Sequence, residues 1–335
     1  MLMRGPGIGL DIGSKKIKMA RVKKVGKQVQ LVKYGSIATP EGSMEAGNIL
    51  DPDFLGEHIG KLARELKVEG RAVASAVSGQ QIYIRNFVMP RMKASELKEA
   101  AIFKATEFLP IPVEEAAIDV FPFRQFEDGS GKKTEVFFVA ARRQQVEALD
   151  EVCHIAGLKL KTAEIEPLAI YRVMNLNEGD KIIGLLNIGA SRSHFSIFKQ
   201  GLLTSLRSLP LGCSAFYRNI RGGGPKEDIH LEEIDANEDN DYSYLVRDIM
   251  SELARSLEYY EMQNAGETVE TVYLCGGGSR LKNLDKYLAA GLGRRVNILE
   301  YASVLAWPAL VTEREQWELQ RDYTVALGLA AWGGI

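Results

Sequence analysis

Residues 7–18, GIGLDIGSKKIK, place an aspartate, a glycine turn and a lysine cluster inside one short apolar stretch. Backbone N–H groups in such a turn form a concavity that suits an anion. Asp11 cannot hold phosphate directly, because like charges repel, but it can hold the water shell of a Mg²⁺ that bridges phosphates. Lys18 is the natural counter-charge for the phosphate. Taken alone, the stretch reads equally as a plain β-hairpin, and it matches neither GxxxxGK[ST] nor GxGxxG.

Three further stretches bear on that choice. Residues 183–201 can be laid over the first, with Leu186-Asn187-Ile188-Gly189-Ala190 falling on Leu10-Asp11-Ile12-Gly13-Ser14. At 269–293, Val272-Tyr273-Leu274 is a buried-strand pattern and Gly276-Gly277-Gly278 a turn where no Cβ obstructs a ligand. Ser279 then opens a helix with Leu281, Leu284, Leu288 and Leu292 at helical spacing. Just before the second stretch, Glu166 precedes Pro167, which suits the first position of a helix. A carboxylate there could position an attacking water, or simply complement the helix dipole. Taken together and in order, three glycine turns at strand ends point to one nucleotide between two related halves.

Those turns need elements to carry them. Each half opens with a predicted β-hairpin. A helix is expected from about Glu96 to Leu109, with Leu97, Ala101, Ala105 and Phe108 on one face and Pro110 and Pro112 stopping it. Residues 134–142 read as a buried strand and 143–156 as a helix, which makes 84–160 a small α+β unit inserted in the first half. Two prolines after Phe108 leave apolar side chains and backbone open to an extended peptide. The plainer alternative is that Phe108 and Ile111 fill the unit's own core. The acidic, glycine-rich stretch 221–242 reads as an exposed loop, 244–264 as a long amphipathic helix, and the last residues as a small-residue helix that packs closely.

The bulk composition narrows the classes. A chain of 335 residues is too long for one compact core and suggests about two domains. Hydrophobic residues make up 46%, charged residues 26%, and the net charge is −2, without the basic excess of a nucleic-acid-binding protein. Cys153, Cys213 and Cys275 are dispersed, as buried thiols in a reducing compartment are, and the four histidines have no metal-ligand spacing. No apolar run reaches the ~18 residues that span a bilayer, and Met1 to Pro6 hold no signal-peptide core. A cytoplasmic protein is expected.

Leu10-Asp11-Ile12-Gly13-Ser14 with Lys18, Glu166-Pro167-Leu168-Ala169, Asn187-Ile188-Gly189-Ala190, Gly276-Gly277-Gly278-Ser279 and Ala326-Leu327-Gly328-Leu329-Ala330, in that order, resemble the actin/Hsp70/sugar-kinase superfamily. Within it the chain is most similar to the PilM family of bacterial type IV pilus assembly proteins, itself similar to the cell-division protein FtsA. The resemblance implies an α/β, actin-like fold of duplicated ribonuclease H-like domains, with four subdomains around an interdomain nucleotide cleft. Subdomain 1A would take 1–83 and 161–180, the inserted 1C 84–160, 2A 181–205 and 269–315, and 2B 206–268, with 316–335 returning to 1A. ATP and Mg²⁺ would be the ligands. Asp11 (holding Mg²⁺ through water), Gly13, Ser14, Lys15, Lys16 and Lys18 would form the first phosphate motif, and Asn187, Gly189, Ala190 and Ser191 the second. Gly276, Gly277, Gly278, Ser279 and Arg280 would cover the adenosine, and Glu166 would position water.

The same resemblance implies a partner: the N-terminal cytoplasmic tail of a PilN-like inner-membrane protein, held at the inserted subdomain. Arg85, Arg91, Lys104, Phe108 and Ile111 are the residues expected to meet it. Contacts with other pilus assembly proteins follow, self-association is left open, and neither nucleic acid nor direct membrane insertion is expected, so the protein would sit peripheral to the inner membrane. Two departures matter. Asn187 stands where the second phosphate motif carries an aspartate, and the acidic stretch 221–242 replaces a helix whose Glu and Lys contact ribose in relatives. Both point to slow or absent hydrolysis. A small-molecule kinase, an FtsA-like filament former and a type II secretion relative are the alternatives, and the kinase lacks any candidate base besides Glu166.

Overall fold

A computed structural model describes residues 5, 7–26, 28–79, 81–174, 181–218, 230–240, 242–301 and 305–333. The first half begins with β1 (Ile8–Ile12), β2 (Lys16–Val25) and β3 (Gln28–Ala38), then a short hairpin of β4 (Met44–Glu45) and β5 (Asn48–Ile49). Helix α1 (Pro52–Leu66) starts where Asp51 accepts the Phe54 amide and Pro52 needs no N–H partner, and β6 (Ala72–Val77) follows. An inserted unit comprises β7 (Ile82–Pro90), α2 (Ala94–Ala105), β8 (Ala116–Asp128) and β9 (Gly131–Arg142). The chain returns through α3 (Arg143–Ile155), β10 (Lys159–Ile165) and α4 (Glu166–Met174).

The second half repeats the opening with β11 (Ile182–Ile188), β12 (Ser193–Lys199) and β13 (Leu202–Leu209). After α5 (Ser214–Arg218) and α6 (Ser243–Gln263) come β14 (Thr271–Cys275), α7 (Leu284–Leu292), β15 (Arg295–Ile298) and β16 (Leu305–Ala306), and α8 (Glu313–Asp322) and α9 (Thr324–Ala330) close the chain. The two main sheets share one plan. The order β3-β2-β1-β6-β10 matches β13-β12-β11-β14-β15, with three antiparallel strands followed by two parallel ones. β16 then adds itself parallel to β3, stitching the end of the second half to the first sheet. The central strands β1 and β11 are near-continuous apolar runs, as strands covered on both faces must be. This is the duplicated actin-like α/β fold that the sequence predicts.

Helix α9 is wholly buried and lies between β1 and α4. Glycines permit that closeness on both sides. A Cβ on Gly9 would overlap the Ala326 carbonyl and the Ala330 amide, and one on Gly328 would overlap the Ala169 backbone. Arg172 of α4 adds a bond to the Gly328 carbonyl at 2.8 Å while pairing with Glu164.

Three local expectations change. Helix α2 ends at Ala105, where the Leu109 amide bonds back to the Ala105 carbonyl and the chain turns before either proline is reached. Helix α3 does not belong to the insert: Leu149, Val152 and Cys153 sit in the first half's core, and α3 packs on α1, so the three-stranded sheet β7-β9-β8 with α2 ends at Arg142. The expected exposed loop at 221–242 lies outside the described residues over 221–229. Its described part is anchored: Leu231, Ile234 and Ala236 are buried, and Ile234 and Ala236 exchange backbone bonds with Lys282.

Gly9→Ala is expected to lower stability by about 3 kcal/mol, since backbone rather than a flexible side chain must move. Gly129→Ala, where an added Cβ meets nothing, should change it by less than about 0.5 kcal/mol. Urea midpoints measure both, and equal values for the two variants would refute the packing argument.

Candidate functional site

The two opening hairpins are alike down to register. Asp11 faces Lys18 across β1 and β2, and Asn187 faces His194 across β11 and β12, at the same seven-residue spacing. Each turn is closed by one bond, Gly13 amide to Lys16 carbonyl at 3.2 Å and Gly189 amide to Arg192 carbonyl at 3.0 Å. In each, the turn's carbonyls are occupied by a neighbouring segment. The Thr39 hydroxyl and amide take those of Gly13 and Lys15, and the Cys213 and Ser214 amides take those of Gly189 and Ala190. The amides of residues 14–15 and 190–191 lie outside these bonds, which is the polarity an anion needs. Ser14, Lys15, Lys16 and Ser191 are exposed at the turn tips.

Between the hairpins stands Glu166, the first residue of α4. Its Oε2 accepts from Asn187 Nδ2 at 3.1 Å and lies 3.3 Å from His194 Nδ1. Lys18 Nζ pairs with Asp11 Oδ2 at 3.1 Å. Burial holds the Asp11 carboxyl above its ordinary range; Lys18 offsets part of this, while Glu166 and Asp322 add to it. Burial works the same way on Glu166, but His194, Lys18 and Asn187 outweigh it and hold that carboxyl below its ordinary value. Lys18 is raised despite burial, because Asp11, Asp322 and Tyr323 favour its charge. The asparagine therefore has a structural reason: an aspartate at 187 would face Glu166 across the distance its amide now bridges.

The third turn meets this centre directly. Gly276 has φ +81°, and a Cβ there would overlap the Asn187 side chain and the Ile188 carbonyl. Gly277–Arg280 is a tight 3₁₀ turn, not the first turn of a helix, because the Ser279 hydroxyl and amide both bond back to the Gly276 carbonyl. Ser279 is thereby buried and occupied. Arg280 pairs with Asp322 Oδ2 at 2.7 Å and lies over the Trp317 ring, which Arg321 also covers at 4.1 Å.

The sequence alone does not mark His194, Asp322 or Trp317 as part of this centre. The repeated spacing that pairs Asp11 with Lys18 could have exposed His194. Asp322 and Trp317 reach the site only through the packing of α8, which leaves no local mark.

The residues expected to meet a partner gather on the insert. Arg85 and Arg91 are exposed, and Arg85 lies 4.7 Å over the Phe108 ring. Lys104 is half-buried over Phe87, and Phe108 meets Phe138 edge-on at 5.2 Å. Ile111 corrects the expectation. It is buried with Ala105, Ala116 and Phe138, so its side chain fills the insert's own core. Phe103, on the outer face of α2, is instead exposed.

A nucleotide fits this chemistry. Each hairpin carries a turn whose amides lie outside its closing bonds, and a glycine-only approach at Gly276 lies against the second of them. No group of three or more His, Cys, Asp or Glu among the described residues could hold a metal directly. A Mg²⁺ that keeps its waters and leans on Asp11 and phosphate asks for less and is compatible with the donors present. No helix among the described residues is long and apolar enough to cross a membrane.

Comparison with known proteins places these features. The family described as "Type IV pilus assembly protein PilM" matches residues 9–332. A solved structure titled "PilM-PilN type IV pilus biogenesis complex" aligns with TM-score 0.82 at 27% identity, over 99% of both chains. MreB 5 of Spiroplasma citri bound to AMPPNP aligns at TM-score 0.50 and 13% identity over 88% of this chain and 92% of that one, a likeness of fold. Cell division protein FtsA of Bacillus subtilis is 23% identical over 239 residues, 64% of this chain, so the match spans about half (54%) of that protein's length.

The acid behaviour of Glu166 yields a measurement. Its folded-state value lies below the ordinary 4.5, so the stability it contributes is complete above that value and is lost as pH falls through the folded one. Glu166→Gln should cost about 1.5 kcal/mol at pH 7. The gap to wild type in urea midpoint should close as the pH is lowered through the carboxylate range, and a gap that stays constant in acid would contradict the assigned cause.

Proposed function

The chain belongs to the type IV pilus assembly protein PilM family, and from that premise we propose that it is an ATP-binding scaffold that holds the cytoplasmic tail of a PilN-like inner-membrane protein. The observation that carries the nucleotide half is the matched pair of hairpins, with their carbonyls occupied and their turn amides outside those bonds. Gly276 packs against the second of them. Phosphates would lie at residues 13–16 and 189–192, where Asp11 would hold the water shell of a Mg²⁺ and Lys18 would supply the counter-charge to phosphate.

Turnover would be slow or absent. Glu166 already accepts from Asn187 and faces His194, so a water must compete for its oxygens. Asn187 brings no charge to the metal. The second half of the reading rests on the similar PilM-PilN complex and on the insert, which supplies no nucleotide group yet shows Arg85, Arg91 and Phe103 to solvent. A cytoplasmic position at the inner membrane follows through the partner. The division of 161–335 into the remaining subdomains is part of the same proposal.

Calorimetry on the purified protein tests both halves. ATP with Mg²⁺ should bind, and Asp11→Ala should weaken it at least about ten-fold, a loss of about 1.4 kcal/mol. A synthetic tail peptide should bind and be weakened by Arg85→Glu or Arg91→Glu while the melting temperature stays within a few degrees. No heat with millimolar ATP, or a peptide indifferent to both arginines, would sink the corresponding half.

A further inference from the structure

Glu166 is poorly placed to hold a water of its own, because its Oε2 already accepts from Asn187 and faces His194. The imidazole beside it is better placed. His194 Nδ1 lies 3.3 Å from Glu166 Oε2, while Nε2 is buried and has no hydrogen-bond partner among the described residues. The register sets His194 opposite Asn187 as Lys18 stands opposite Asp11. The second hairpin thus carries an imidazole where the first carries an ammonium, and of the two only a neutral imidazole can also accept a bond.

The Glu166 carboxyl decides which ring nitrogen accepts. Burial would raise it, but His194, Lys18 and Asn187 hold it below its ordinary value, so at neutral pH it is ionised and can only accept. An acceptor at Nδ1 of a neutral ring keeps the proton there and leaves the lone pair on Nε2. A buried acceptor without a donor is costly. Room for a donor exists: Glu166, His194, Ser78 and Ser208 line a cavity of about 40 Å³, whereas a water needs roughly 10–15 Å³ and a few polar partners. Ser208 Oγ accepts from Arg192 Nε at 2.9 Å and still has its own hydrogen to give. A water that accepts from Ser208 and donates to His194 Nε2 satisfies both groups.

We infer that His194 holds the reacting water through Nε2, and that Glu166 acts on this water only through the ring, by fixing its tautomer and direction. An acid that orients a histidine, which in turn takes a proton from oxygen, is a recurrent way to activate a hydroxyl or a water. In hydrolysis the water oxygen bonds to the terminal phosphorus and the water's proton passes to Nε2. The bond from that phosphorus to the bridging oxygen breaks, and its electron pair leaves on ADP. His194 is then the catalytic residue and Glu166 a positioning residue. The inference rests on the nucleotide reading proposed above.

Nitrogen NMR of the full chain with labelled histidine, free of nucleotide, is the first test. The sequence has four histidines, and the His194 signals are those lost in His194→Asn. At neutral pH Nδ1 should carry the proton and Nε2 should not, and Glu166→Ala should remove that preference. A proton on Nε2 in the wild type, or a tautomer indifferent to Glu166→Ala, overturns the inference. The second test compares the affinity for ADP with Mg²⁺ alone and with added fluoroaluminate, which stands in for the phosphoryl group under attack by water. Fluoroaluminate should tighten ADP binding to the wild type by at least about ten-fold. His194→Asn keeps a donor toward Glu166 but removes the acceptor toward the cavity. It should retain the melting temperature and the affinity for ADP alone while the tightening disappears. No tightening in the wild type, or an undiminished one in the variant, overturns the water-holding role. Wild-type protein that binds no ADP contradicts the proposed function instead, and the tautomer then decides the inference by itself.

Discussion

The site depends on how closely one helix approaches two neighbours. Helix α9 lies backbone to backbone against β1 at Gly9 and against α4 at Gly328, with the Arg172 guanidinium bonded to the Gly328 carbonyl. Gly9 is two residues from Asp11, and Ala169, which faces Gly328, is three from Glu166. Those two carboxylates come from different elements, and α9 fixes the elements against each other. Because α9 follows the whole second half in the chain, the order of the first half's site waits on the last helix.

Around that framework the charges are paired. The Asp11 carboxyl feels both Glu166 and Asp322, the Lys18 charge is favoured by Asp11 and Asp322, and Arg280 is committed to Asp322. Buried like charges cost free energy unless they are paired, and each of these acids has its partner: Lys18 for Asp11, Asn187 and His194 for Glu166, Arg280 for Asp322. The asparagine at 187 relieves part of the tension by donating to Glu166. What weakens the site as a metal-organising catalyst thus steadies it as a binding site, in keeping with a scaffold.

Much of this was legible in the sequence because it is local. A hairpin with its turn is written within 20 residues or so, and the same pattern appears twice; the glycine triplet is likewise contiguous. The repetition suggests two related halves, and the family resemblance of the ordered motifs implies the α/β duplication. What was not legible came from distance. Nothing near Asp322 marks it as a neighbour of Asp11, since α8 is placed by α9, β14 and the Gly277–Arg280 turn. Helix α3 follows the insert's last strand without a break, so the sequence does not separate it from the insert, whereas its apolar face belongs to α1. Two prolines after Phe108 leave Ile111 open either to a partner or to the insert's own core, and the early end of α2 turns it into the core. Prolines tell where a helix cannot continue, not which way the next side chain faces.

The central claim is that three separate turns form one nucleotide site between two halves. Hydrogen exchange followed by mass spectrometry, with and without ATP and Mg²⁺, addresses it directly. Residues 13–16, 189–192 and 276–280 should all gain protection at the same nucleotide concentration, while the outer face of α2 stays unchanged. Protection confined to one turn, or absent from all three at saturating nucleotide, would contradict the account.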